Sequence, residues 1–318
     1  MKFETLLFAS FTLLLLILVV GCSKSDGPTL PSESAGFDAS IPWTKTPASV
    51  SRYAKLLLAG TNLFVGGEGG IALSSDSGAS WTPVNTGLTN HIVHALCHSE
   101  ANLFAGTDIG VFRSTSNGTN WTATGLENTR VYALAISETN LFAGTVDGLF
   151  LSTNNGTNWT VVNTSFNNAF ITSLAFSGGN LYVGTYAGVY LSTNNGTSWT
   201  AVNTGLTNIS VNSLLVSATN LFAGTSGDGI FLSTNNGTNW VAIGPAKTYV
   251  RALAVSSSNL FAGTADGVLF STNNGASWNE ANNGFENLFA NYEVYSFAIF
   301  GMTLFAGTYG GYVWRHPL

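Results

Sequence analysis

The feature that most constrains this chain is an eight-residue phrase written six times between Ser74 and Trp278, in its cleanest form Ser152-Thr-Asn-Asn-Gly-Thr-Asn-Trp159. The copies end at Trp81, Trp121, Trp159, Trp199, Trp240 and Trp278, and all fit Ser-x-Asp/Asn-x-Gly-x-x-Trp except that Ser116 takes the third position of the second copy. Each position has a physical use in a tight turn. Ser and Asn or Asp side chains bond nearby backbone groups, Gly accepts a positive φ, and Trp returns the chain to an apolar layer. A chain that repeats this phrase repeats one β-hairpin.

A second landmark, Asn-Leu-Phe-Ala-Gly-Thr or a close variant, precedes each copy. Its glycines stand at Gly66, Gly106, Gly144, Gly184, Gly224, Gly263 and Gly307, at intervals of 40, 38, 40, 40, 39 and 44 residues. One unit reads as four short strands: Val131 to Ile136, Leu141 to Thr145, Leu149 to Leu151 and, after the phrase, Trp159 to Val162. Short, evenly spaced β-branched and aromatic segments with this period indicate four-stranded blades. The seventh unit stops at Arg315, after its third strand, whereas Trp43-Thr44 near the N-terminus matches the opening of a fourth strand. The expected fold is therefore all-β, a seven-bladed propeller of antiparallel blades over residues 42–318, closed by an N-terminal strand that hides both open edges.

The phrase resembles the Asp-box, or BNR, repeat of β-propellers such as sialidases, the sortilin ectodomain and photosystem II assembly factors. Ser74, Asp76, Gly78 and Trp81, and Ser152, Asn154, Gly156 and Trp159, hold the box positions, as do Trp121, Trp199, Trp240 and Trp278 in the other copies. Asp76 alone keeps the family's aspartate; Asn154, Asn194, Asn235 and Asn273 replace it. The resemblance implies that the box is a structural turn on the face away from any ligand. One carboxylate among six boxes is too few for a hard cation.

The N-terminal stretch reads as an export signal: Thr5 to Val20 is largely apolar and ends in Val19-Val20-Gly21-Cys22, which resembles a bacterial lipobox. The expectation is a signal peptide over 1–21, lipid on Cys22, and a Ser/Pro/Gly-rich tether over 22–41. Such a protein is exported and membrane-anchored, at the outer membrane or cell surface rather than the inner membrane. With lipid on one of the two cysteines, Cys22, no disulfide with Cys97 is expected. The Asn-x-Ser/Thr sequons at Asn117, Asn155, Asn195 and Asn236 are by-products of the box, and another stands at Asn163.

Ten basic residues spread along a chain of net charge −6 do not make a nucleic-acid surface. Specificity should lie where the units differ at loop tips. The variable positions fall at the entry to the first strand and at the turn between the second and third strands. Candidate partner-binding residues are Arg52, His94, Arg130, Tyr132, Asn212, Tyr249, Arg251, Tyr292 and Tyr295, all placed by strand alternation at the channel end opposite the boxes. A mixed aromatic and charged rim suits a protein or glycan ligand. No cofactor and no metal are expected; His91 and His94 have no third ligand in sequence reach. A monomeric, non-catalytic binding or scaffold lipoprotein is the leading reading.

Two alternatives come from the resemblance. A sialidase-like hydrolase needs three converging arginines with a Tyr–Glu pair; Arg52, Arg130, Arg251, Glu293 and Tyr295 supply the residue types, but the arginines fall in the first, third and sixth units. An assembly factor akin to those of photosystem II is the other.

Overall fold

In a computed structural model of the protein, the described residues are 37–163, 166, 170–285 and 293–318. The expected signal peptide, Cys22, most of the expected tether and Tyr292 lie outside them. The described residues form seven four-stranded antiparallel sheets, and each of the first six blades runs consecutively from inner to outer strand. In blade 1 these strands are Lys55–Ala59, Asn62–Gly67, Gly70–Ser74 and Thr82–Pro83. Each inner strand touches that of the next blade, and blade 7 touches blade 1, which closes the ring around a central channel.

Closure follows the expected route. Blade 7 comprises Val294–Phe300, Thr303–Thr308 and Tyr312–Pro317, and its outer strand is Thr44–Ser49, paired through Thr44 with Arg315 and Lys45 with Trp314. Trp43 seals the joint: it is 3% exposed, donates its indole N–H to Ala281 O at 2.7 Å, and stacks on Phe285. The packed chain begins earlier than residue 42. Phe37, which the sequence reading assigned to the tether, is buried among Phe261, Phe270 and His316, and His316 Nε2 lies 2.9 Å from Ile41 O.

The apolar core is divided among the seven junctions between blades. Leu57 and Phe64 of blade 1, for example, pack with Val93, Leu96 and Trp121 of blade 2. The junction of blades 7 and 1 is filled by Ala298, Phe305, Val313, Leu56 and Val65. No blade buries its own faces, so each depends on its neighbours.

This packing explains the seven landmark glycines. None has a positive φ; instead, in six of them the site of a Cβ is crowded by the first residue of the next blade's inner strand, and in Gly307 by the residue just before that strand. Gly66 faces Val93, Gly106 faces Val131, Gly184 faces Val211, Gly224 faces Val250, Gly263 faces Val294, and Gly307 meets Ala54 across the closure. A side chain there would push two blades apart.

The eight-residue phrase folds as its chemistry requires. Ser152 Oγ donates to Asn154 Oδ1 at 3.0 Å and accepts from Gly156 N at 2.8 Å, while Asn154 Oδ1 accepts from Asn158 N at 2.9 Å. Ser74 and Asp76 make the same bonds, so amide and carboxylate are equivalent in this turn. The Ser80 hydroxyl and amide, then Ser74, hold the Asp76 carboxyl down at about 2. The residue before each glycine, such as Asn155 at φ 55°, also adopts the left-handed region, which Asn tolerates best after Gly.

Four of the tryptophans stitch blades together by donating to the preceding blade, Trp121 to Val84 O, Trp240 to Val202 O and Trp278 to Ile243 O at 2.8 Å and Trp159 to Thr124 O at 3.3 Å, whereas Trp199 donates to Gly196 O of its own turn at 2.9 Å and the buried Trp81 indole nitrogen has no hydrogen-bond partner among the described residues. Their burial is uneven, which the uniform motif did not foretell. Trp121 and Trp240 are buried, whereas Trp81, Trp159, Trp199 and Trp278 are half-buried.

Candidate binding site at the channel mouth

The end of the ring opposite these turns is built by a repeated irregularity. In blades 2 to 7 the inner strand pairs its first residue with the Thr after the landmark glycine and its third with the glycine itself. The second residue is left as a bulge. Bulges re-aim side chains, and these six re-aim His94, Tyr132, Thr172, Asn212, Arg251 and Tyr295. The remaining inner-strand positions mostly carry small, aliphatic or serine side chains, with His98, Phe176, Phe297 and Phe300 as departures, whereas the bulge position changes from blade to blade.

Blade 1 departs from the pattern. Its strand starts with Lys55 paired directly to Gly66, without a bulge. Lys55 therefore supplies a mouth cation in blade 1, where the sequence reading named Arg52 and Tyr53, and it was missed because blade 1 is one residue short at this point. Arg52 instead belongs to the run Ser51-Arg52-Tyr53, whose φ values of 55°, 42° and 43° are all left-handed. Such a run in non-glycine residues carries strain. It is pinned by Glu68 N donating to Ser51 O at 2.9 Å and by the Arg52–Glu68 ion pair at 3.5 Å.

The mouth residues join hands around the ring. On one side His94, Tyr132, Phe170 and Tyr186 form a continuous aromatic wall across blades 2 to 4, with successive ring centroids 5.0, 3.9 and 5.3 Å apart. On the other, Tyr53 packs edge-on against Tyr295 and Tyr309. Arg251 lies between two rings, its guanidinium carbon 4.5 Å from the centroid of Tyr249 and 4.7 Å from that of Tyr295. Blade 5 is polar and already occupied: Asn212 donates to Val250 O and accepts from Ser226 Oγ, each at 2.9 Å. Of the sequence-derived candidates, Asn212 therefore has both ends of its amide committed to holding blades 5 and 6.

Charges at the mouth are paired locally. Arg130 Nε lies 2.5 Å from Asp108 Oδ1, and the same oxygen takes His94 Nε2 at 2.7 Å. Burial outweighs that carboxylate and lowers the His94 pKa, which favours the neutral ring. Arg251 pairs with Glu293 at 2.9 Å, and Glu293 also accepts the Tyr295 hydroxyl. Burial first, then this bond, raises the Tyr295 pKa, so the phenol keeps its proton. Lys55 is the exception. Among the described residues it has no carboxylate partner; one N–H reaches Tyr295 O at 3.3 Å, and burial followed by the Arg251 charge lowers its pKa to about 8.

The three arginines that a sialidase would need to converge are each held by a different carboxylate: Glu68, Asp108 and Glu293. The Glu293–Tyr295 pair does form, but it suppresses rather than promotes ionisation of the phenol. Among the described residues no three His, Cys, Asp or Glu side chains gather as a metal set.

Residues 128–248 match the DUF6242 β-propeller domain. No curated protein is significantly similar to the chain. Solved structures are similar in fold at low identity. The extracellular domain of the one-component system BT4673 from B. thetaiotaomicron aligns with a TM-score of 0.75 at 18% identity, over 86% of this chain and 40% of that one. The present chain thus spans only two fifths of that structure's length. YCF48 from Cyanidioschyzon merolae aligns with a TM-score of 0.67 at 15% identity over 87% and 99% of the two chains, and YCF48 bound to a D1 peptide aligns similarly. The GH74 xyloglucanase of Xanthomonas campestris gives 0.65 at 16% identity over 86% and 53%. Ring, blades and comparisons agree on one statement of kind: the chain is a seven-bladed β-propeller, similar over its middle third to the DUF6242 propeller domain.

Proposed function

We propose that the chain is a non-catalytic binding or scaffold module of the bacterial cell envelope, engaging a protein or glycan through the channel mouth and held to the membrane by lipid on Cys22. The observation that carries this reading is the bulge pattern. Around a ring whose other positions repeat, six bulges and Lys55 bring seven different side chains to one opening, backed by exposed or half-exposed aromatic rings. Aromatic anchors with a few charged groups are the composition of a recognition surface. That YCF48, of the same fold, has been seen with a D1 peptide makes a peptide partner reasonable for this architecture.

Hydrolysis is disfavoured because the candidate nucleophile Tyr295 is held protonated and each of the three arginines is tied to a different carboxylate. The test is direct. Protein lacking the signal segment should turn over no fluorogenic sialoside, and turnover abolished by Arg251→Ala would overturn the reading. Partner capture should weaken with Tyr132→Ala or Tyr186→Ala and not with Asn194→Ala in a turn on the opposite end. Anchoring is tested separately: mass spectrometry of membrane-extracted protein should find acylated Cys22 at the N-terminus, and an intact Met1–Gly21 segment would contradict it.

A further inference from the structure

Lys55 is the one mouth cation that the described residues leave without a counter-charge. It faces Arg251 from blade 6, the Tyr295 carbonyl and ring from blade 7, and His94 from blade 2, which feels its charge. Glu293, the acid beside Arg251, is already shared between Arg251 and the Tyr295 hydroxyl. Arg251 adds a second unsatisfied donor: its Nε is buried and has no hydrogen-bond partner. Both cations lie against the same ring, Lys55 Nζ 5.6 Å and the Arg251 guanidinium carbon 4.7 Å from the centroid of Tyr295. Two cations gathered in a partly buried place against the one carboxylate of Glu293 leave a net positive charge that is costly unless something else balances it.

We propose that this sector seats the carboxylate of an acidic oligosaccharide, on Lys55 and beside Arg251, with adjoining sugar rings lying along the aromatic wall of His94, Tyr132, Phe170 and Tyr186. The proposal rests on the channel mouth being the binding site and names the ligand's chemistry. A carboxylate supplies the missing charge and takes charge-assisted hydrogen bonds from the Lys55 ammonium. The wall adjoins this sector directly, since blade 1 is followed by blade 2, and the C–H faces of pyranose rings complement the negative faces of its rings. A peptide binding mainly through its backbone would need an unbroken strand edge. The bulges interrupt the inner strands at this level in six of the seven blades, which leaves side-chain recognition.

A carboxylate landing on Lys55 raises its pKa again, so binding near pH 8 takes up a proton, and affinity falls as the pH climbs past about 8 instead of past the ordinary lysine value of 10.5. The experiment is isothermal titration with trigalacturonate, its methyl ester and triglutamate, at pH 7 and pH 9.5, in buffers of different ionisation enthalpy. Expected are binding of trigalacturonate at pH 7, weakening by about tenfold or more in Lys55→Met with retention in Lys55→Arg, loss on esterification, and buffer-dependent heat near pH 8. Lys55→Arg should also remove the fall in affinity at pH 9.5, a change that a purely structural role would not produce. Equal binding of the ester, unchanged affinity in Lys55→Met, tighter binding of triglutamate, or no binding at millimolar trigalacturonate would each overturn the proposal. If another partner is lost on Tyr132→Ala while trigalacturonate does not bind, the site stands and this assignment of its ligand falls.

Discussion

Substituting a landmark glycine should cost stability through the blade junction, and trimming the neighbour should return part of it. In Gly66→Ala the new methyl would stand 2.7 Å from Val93 Cγ1, 3.2 Å from Val93 Cβ and 3.2 Å from Leu96 Cδ1. Two of these atoms belong to Val93, which is 2% exposed and cannot swing into solvent. Overpacking of this kind costs about 1–3 kcal/mol. Val93→Ala alone loses about 2 kcal/mol of buried side chain. The double variant relieves the clash, so its cost should fall short of the sum by about 1–2 kcal/mol, the size of coupling expected for contacting residues. The assay is urea denaturation followed by tryptophan fluorescence for the four proteins of the cycle. Gly301→Ala is the control: its φ of 58° makes alanine mildly strained, but nothing lies within 4 Å, so no neighbour can rescue it. Strict additivity of Gly66→Ala and Val93→Ala would refute the packing explanation of the repeat. At the closure no such rescue is available, because the atom facing Gly307 is the backbone carbonyl of Ala54.

Other outcomes follow from the same geometry. Trp43→Ala, which removes a buried indole and orphans Ala281 O, should cost about 3–5 kcal/mol, whereas exposed Arg130→Ala should stay within about 0.5 kcal/mol; comparable denaturation midpoints for the two would contradict the assignment of core and mouth. Deleting residues 42–48 should strip hydrogen-exchange protection from Tyr312–Trp314 while the middle blades keep theirs, and unchanged protection there would mean that the N-terminal strand does not close the ring. Lys55, held at about 8 in the folded chain against 10.5 unfolded, binds fewer protons when folded between those values, so stability should rise with pH from about 8 toward 10; Lys55→Met should flatten that rise, and an unaltered slope would show that Lys55 titrates normally.

Much of the architecture was legible because the chain states it repeatedly. The period, the Ser-x-Asn-x-Gly-x-x-Trp turns and the truncated seventh unit each demand a local conformation that the ring supplies. Legibility ended where a single blade departs from the average. Lys55 escaped notice because blade 1 lacks the bulge residue, so reading by analogy with His94 and Tyr132 led to Arg52 and Tyr53. Phe37 sits in a Ser/Pro/Gly-rich stretch with no periodic pattern, and only the fold reveals the gap between Phe261, Phe270 and His316 that it fills. The candidate arginines were read from loop positions at which the units differ. Their separation, each on its own carboxylate, depends on which blade carries which acid, and Asp108 of blade 2 reaching Arg130 at the start of blade 3 is a contact between units that no repeat alignment displays.

The central claim, that recognition occurs at the channel mouth and not at the repeating turns, is tested most directly by site-specific photo-crosslinking in intact cells. A benzoylphenylalanine placed at Tyr186, 48% exposed on the aromatic wall, should give a discrete crosslinked partner that diminishes with Tyr132→Ala, and the same probe at exposed Thr197 in the opposite turn should give none. Crosslinking at Thr197 with none at Tyr186 would contradict the account.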